Sequence, residues 1–301
     1  MKTIALFILT FLFAAYLQAQ KVYSEMSAAE KKLYNEHIIK GQPDRSNGPV
    51  YVRHGYIMKY HEKYRIPEWV AYHIIPDYLN TPDRERKFKS FRTDPDMDNP
   101  VIDDYYTGTG YARGHMAPYF AMGGDRNKNG KYAELFDDSS DPYDEQTVFE
   151  ANYMSNIAPQ DQNAMNGAGG PWYALETKIR DKFVGENKMA LNVVVGGIVD
   201  SSEQIRTMKG SYGDAGIAVP DWFFQVLIYK SKEGEYFTAG FLFRHVKDKN
   251  DLPYDELIDY LVPVDSLETL TGFDFLNKLT KSLQSKTESK DNKEFWVSKG
   301  L

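Results

Sequence analysis

The sequence predicts an α+β fold, and three observations carry that reading. Strand-like and helix-like patterns are interspersed with none of the regular strand–helix–strand spacing of a parallel sheet. Aromatic residues reach 14%, with 22 Tyr and 17 Phe, a balance suited to side chains packed on sheets. Between Gly55 and Ile75 two apolar runs flank a polar turn, as in a hairpin.

From the amino terminus, Lys2 precedes an apolar run from Ile4 to Leu17, and Ala19 offers a small residue before Gln20. This pattern predicts a signal peptide over residues 1–19 and a mature protein that is secreted or periplasmic, an uncleaved anchor being the alternative. A polar lead-in, 20–54, holds a helix around Ala28–Ile39. The hairpin strands are Gly55–Tyr60 and Glu68–Ile75. Residues 76–110 read as loop, broken by Pro76, Pro82, Pro95 and Pro100. An insertion spans about 123–146. Its Asp125, Asn127, Asn129 and Gly130 open like a calcium loop, but Phe136 stands where the closing Glu belongs. A short strand, Tyr153–Ile157, runs into Ala158-Pro159-Gln160. Pro171 starts a helix with Trp172, Leu175, Ile179 and Phe183 on one face. Strands follow at Met189–Val199, Trp222–Lys230 and Tyr236–Arg244, then a helix at Ser266–Leu270. A Lys/Glu/Ser-rich tail, 281–301, reads as frayed.

The 301 residues carry a net charge of −7 and no cysteine. Thiolate chemistry and Cys-ligated zinc are therefore excluded, leaving oxygen and imidazole as metal donors. The negative charge argues against a broad nucleic-acid-binding face. A local basic run, Arg84, Arg86, Lys87, Lys89 and Arg92, is opposed only by Glu85. It can be a phosphate cleft or a solvated loop.

Of six histidines, only His115 sits in a setting that suggests chemistry, Arg113-Gly114-His115 followed by Pro118. Downstream come Asn156, Gln160, Asn163 and Asn166, then Trp172 to Glu176. An amide oxygen is a neutral hard ligand that suits Mg²⁺ at a phosphoryl site. The plain alternatives are a helix pair of Glu176 with Arg180 and turn roles for Asn163 and Asn166 beside Gly167.

Arg113-Gly114-His115, Asn156, Pro159, Gln160, Asn166, Trp172, Leu175 and Glu176 together resemble the signature of the DNA/RNA non-specific endonuclease family. The similarity extends to Glu68–His73, Arg92–Pro95, Val219–Phe224 and Ala239–Phe243, about Gly55 to Leu279 in all. The resemblance implies a nuclease domain over 55–280, with a central antiparallel sheet flanked by helices and a ββα-metal active-site element. It implies His115 as general base and Arg113 with a cation of the basic run on phosphate. Asn166 would be the protein ligand to Mg²⁺, Asn163 its runner-up, with Mn²⁺ able to substitute, and Glu176 would reach the ion through water. DNA and RNA would be the substrates, cut with little sequence preference to leave 5′-phosphate ends, since the named contacts all go to phosphate or metal.

Three departures from the family pattern stand out. Ala112 replaces the acid before Arg-Gly-His. Residues Gly167–Pro171 lengthen the path from Asn156 to Glu176. The substrate Arg falls at Lys89, with Arg86 and Arg92 as neighbouring candidates; Lys lacks the two-pronged guanidinium grip. Ala112 and Lys89 leave a catalytically weak nucleic-acid-binding relative as one rival, and the same metal and histidine could also serve a phosphodiesterase or phosphatase of small esters.

Overall fold

Runs of β-branched and aromatic residues pair into one sheet because each can bury both of its faces. The computed structural model describes residues 19–202 and 204–301. Its strands are β1 (Tyr51–Val52), β2 (Ile57–His61), β3 (Ile66–Ile74), β4 (Tyr111–His115), β5 (Ile157–Asp161), β6 (Leu191–Ile198), β7 (Thr207–Gly210), β8 (Gly213–Ala218), β9 (Trp222–Lys230), β10 (Tyr236–Arg244) and β11 (Leu261–Val262). Seven form an antiparallel sheet in the order β1-β2-β3-β6-β9-β10-β11; β4 pairs only with β5, and β7 only with β8. The helices are α1 (Ala28–His37), α2 (Pro142–Ala151), α3 (Pro171–Thr177), α4 (Val264–Thr271), α5 (Lys281–Glu288) and α6 (Lys293–Ser298). The α+β class with a central antiparallel sheet is therefore the observed one.

Side-chain alternation along the strands divides the core into two layers. Val70, Tyr72, Val193, Val195, Phe223 and Leu227 face one way, covered by Trp172 and Leu175 of α3 with Ile179 and Phe183 beyond it. Trp69, Ala71, Val194, Phe224, Val226 and Ile228 face the other, covered by Tyr34 of α1 and by Val264 and Leu267 of α4. Each such side chain contributes about 1.5–3 kcal/mol by leaving water. The β4–β5 pair and α3 thus sit on the first layer, on a rigid base.

The expected hairpin is β2–β3, and the expected strands near 191–244 are β6, β9 and β10, with ends within about two residues. The tail differs from its expected frayed state. It folds into α5 and α6, because Trp296 is fully buried against Phe183 and its indole N–H donates to the Thr238 carbonyl at 2.9 Å. One aromatic side chain outweighs the polar composition around it. Helix α2 and the β7–β8 hairpin were not legible, since neither has a clean apolar period. The signal-peptide reading of residues 1–19 falls, Ala19 apart, outside the described residues. Among the described residues no helix is long and apolar enough to cross a membrane.

Candidate active site

Strand β4 carries Arg113 and His115 two residues apart, hence on the same side. Its register with β5 places Arg113 opposite Pro159 and His115 opposite Ile157. Asn156 locks the turn beyond His115: its Oδ1 accepts from Ala117 N–H at 2.9 Å, and its Nδ2 donates to the carbonyls of Ala117 and Ala151. Asn156 is thus a brace rather than a free amide.

His115 is half-buried, and its Nε2 lies 3.1 Å from Asn152 Oδ1. Asn152 is fully buried, and its Nδ2 donates to the Phe88 carbonyl at 2.9 Å. That bond fixes which way the amide faces, so Oδ1 accepts and Nε2 carries the proton. Nδ1 is then the free lone pair. Burial, aided by the charge of Arg84 and opposed by the Asn152 bond, pushes the imidazole down to about 4. The ring is therefore neutral at ordinary pH, as a base must be. Asn152 sits just past the end of α2 and was missed in the sequence, where an Asn after an indistinct helix gives no signal. It supplies an orienting contact to the histidine in a chain that has Ala112 where the family has an acid.

Gly114 lies opposite Ala158, and a Cβ there would meet Gln160 side-chain atoms at 2.2–2.6 Å. Gln160 is fully buried across that gap, and its Oε1 accepts from Asn166 Nδ2 at 2.7 Å. Among the described residues no donor binds Asn166 Oδ1. Gly169, at φ +92°, turns the inserted segment back so that Pro171 can open α3. On α3, Glu176 accepts from the Trp172 indole N–H at 2.9 Å. Burial pushes Glu176 up to about 8, against the opposing pull of Trp172 and Arg180. Gly114→Ala is expected to displace Gln160, costing about 1–3 kcal/mol by overpacking. Urea unfolding would show it.

His115, Asn166 and Glu176 line one cleft of about 540 Å³, together with Arg84 and Arg180. Its apolar wall includes Tyr72, Ile74 and Tyr119, while Phe120 and Tyr173 are exposed at 44% and 41%. Arg84 packs 4.4 Å over the Phe91 ring, and its Nε is buried with no hydrogen-bond partner. The Phe91 ring also lies 5.3 Å from the His115 ring and 5.6 Å from the Arg113 guanidinium. Arg113 is held by the Asp103 carboxylate, and its Nη2 donates to the Asp103 carbonyl at 2.9 Å.

Neither Arg113 nor any of the three cations of the basic run expected on substrate lines this cleft. Lys89 is exposed. Arg86 is exposed and stacks 4.8 Å over Phe136. Arg92 lies 3.9 Å over Phe149 and donates to the Lys87 carbonyl at 2.6 Å, tied there by backbone bonds with Asn152 and Met154. Arg84, from the same run, and Arg180 occupy the cleft instead. A helical turn over Arg86–Phe88 bends the run, so sequence spacing was a poor guide to which side chain faces inward. Arg180 pairs with Asp181 at 2.8 Å and not with Glu176. Asn163 is exposed and outside the cleft, its backbone N–H capped by Asp161.

The other histidines are engaged elsewhere. His245 accepts from Asp161 N–H at 2.9 Å and donates to the Pro220 carbonyl at 2.7 Å, tying β5 to the main sheet. His37 accepts from His73 N–H, His54 pairs with Glu150, and His61 stacks on Tyr64. In the insertion, both Asp125 oxygens accept from the loop's own amides, at Asn129 and Gly130. Asn127 and Asn129 bind Asp141, the cap of α2. The half-matched calcium pattern is here a self-capped turn.

The chain matches the sequence model described as DNA/RNA non-specific endonuclease over residues 33–282. It is 26% identical over 265 residues to a nuclease of Nostoc sp., covering 84% of this chain and 85% of that protein. It is 27% identical over 248 residues to a nuclease of Serratia marcescens, covering 79% of each. A chain from the crystal structure of the EndoG/EndoGI complex superposes with a TM-score of 0.59 at 20% identity, over 81% of this chain and 90% of that one. That last similarity concerns the fold.

Proposed function

Because the chain belongs to the DNA/RNA non-specific endonuclease family, we propose that it hydrolyses phosphodiester bonds of DNA and RNA outside the cytoplasm, with His115 as general base and Mg²⁺ as cofactor. The observation that carries this reading is the shared cleft, in which a histidine held neutral faces an amide, a carboxylate and an arginine.

The donor set suits a hard divalent ion. Asn166 is oriented through its Nδ2, which leaves the neutral Oδ1 to bind, and Glu176 is a carboxylate whose charge needs a nearby cation. When bound, Mg²⁺ would neutralise charge growing on the phosphoryl and leaving oxygens. His115 Nδ1 takes the proton of the attacking water, while Asn152 holds Nε2–H and keeps the ring in register. Arg84, stiffened by Phe91, grips a non-bridging phosphate oxygen; Arg180 offers a second positive charge on the far wall. No base-reading group is required by these contacts, which supports low sequence preference. Asn152 and Arg84 also weigh against the weak-binder alternative, since they supply substitutes for the family's missing acid and arginine.

Arg84→Ala is expected to lower kcat/KM on plasmid DNA by about 10- to 100-fold, the range of a lost hydrogen bond to a charged group. Lys89→Ala should stay within about twofold, because that ammonium lies outside the cleft. The reverse ranking would return the phosphate role to Lys89. A plasmid and RNA degradation assay with and without EDTA tests the reading as a whole; undiminished cutting in EDTA would remove the metal from it.

A further inference from the structure

Far along the chain from the cleft residues, α4 and the end of α5 bring three carboxylates together. Asp265 and Glu268 are three residues apart on α4, hence on one face, and Glu288 closes α5. One oxygen from each lies within 4.8 Å of the other two. Glu288 is only 2% exposed, and its Oε1 is buried with no hydrogen-bond partner. Among the described residues none of the three carboxylates has an ion-pair partner. Burying a carboxylate without a partner costs several kcal/mol, so something must neutralise it.

We propose that Asp265, Glu268 and Glu288 form a Ca²⁺ site that fastens the carboxy-terminal helices to α4. The ligand set favours the larger ion. Mg²⁺ dehydrates reluctantly and usually keeps several waters around one or two carboxylates, whereas Ca²⁺ accepts several protein carboxylates in flexible geometry. Three acidic oxygens also suit an ion that takes six to eight ligands in irregular geometry, with water completing the shell through the exposed side of Asp265. One oxygen of Glu268 is already oriented, accepting from Phe275 N–H at 2.6 Å. The competing occupant is a proton: burial and the neighbouring Glu268 push Glu288 up to about 9 when no cation is present. Asp265 and Glu268 fall inside the family match over residues 33–282, whereas Glu288 lies beyond its end. The site's role is mechanical, because α5 leads directly to α6 and the buried Trp296.

The test is thermal unfolding and calorimetric titration of the EDTA-stripped full chain with CaCl₂ alone. Asn166→Ala serves as the background, so that the cleft contributes no response. Expected is one binding event saturating below about 1 mM, with Tm raised by roughly 5 °C at a hundredfold excess over Kd. Glu288→Gln should abolish both signals without lowering the Tm of the metal-free protein, since it removes a buried acid. Asp265→Asn, an exposed change that does not threaten folding, should weaken binding at least tenfold. No heat or Tm shift in the Asn166→Ala background would overturn the proposal. So would an undiminished response in Glu288→Gln and Asp265→Asn, or an equal rise with MgCl₂, which would point to charge screening.

Discussion

His115→Ala is expected to lower kcat for cleavage of plasmid DNA and of RNA by about 10² to 10⁴, the usual worth of a positioned general base. Binding of nucleic acid to the variant, measured by gel shift in Ca²⁺, should stay near that of the parent, because the proposed mechanism places phosphate on Arg84 and the metal. The pH profile adds a sharper test. In the proposed mechanism neutral imidazole is the working form, and burial lowers its pKa to about 4. Activity is therefore present above that value and lost as pH falls through it. The acid limb of kcat/KM, which reports the free enzyme, should bend near 4 and not near the ordinary 6.5. Asn152→Ala would remove the bond that fixes the tautomer, lowering kcat while KM stays put. A His115→Ala protein that keeps most of its activity between pH 6 and 8 would make the ring structural and dismantle the mechanism.

Asn166→Ala should cost on the order of 10² to 10³ in kcat at fixed Mg²⁺, comparable to loss of one group that stabilises transition-state charge, and activity should shift to higher Mg²⁺. Asn163→Ala should leave the Mg²⁺ dependence unchanged, since Asn163 lies outside the cleft. Asn166→Asp offers a finer comparison. The buried Gln160 has an Nε2 with no partner, so rotating that amide by half a turn would present a donor to the new carboxylate. Metal-dependent activity should therefore survive far better in Asn166→Asp than in Asn166→Ala. Equal Mg²⁺ curves for the parent and Asn166→Ala would pass the ligand role to another residue.

Much of the frame was legible because it depends on local patterns. The runs at Trp222–Lys230 and Tyr236–Arg244 are bounded by turn residues and appear with those same limits as β9 and β10. Pro171 marks the start of α3, where a missing N–H does no harm. Helix α2 was not read, because its apolar residues have no sustained period and its buried face includes Asp144, Thr147 and Glu150. The tail was misjudged for a related reason: composition counted its lysines, while Trp296 decided its fate by fitting a prepared slot beside Phe183.

The sequence by itself determined the family, the α+β class and the identities of His115, Asn166 and Glu176 as candidates, because each follows from residue type and spacing along one chain. Which cation shares the cleft, which atom orients the histidine and which carboxylates meet at α4 and α5 were decided only by the tertiary structure. Arg84 displaces Lys89 through a short helical turn that redirects the basic run. Asn152 reaches His115 from 37 residues away, across the end of a helix with no clear signature. Glu288 meets Glu268 because a buried tryptophan draws the tail inward. Such contacts depend on where distant segments pack against each other, and no local pattern encodes that distance.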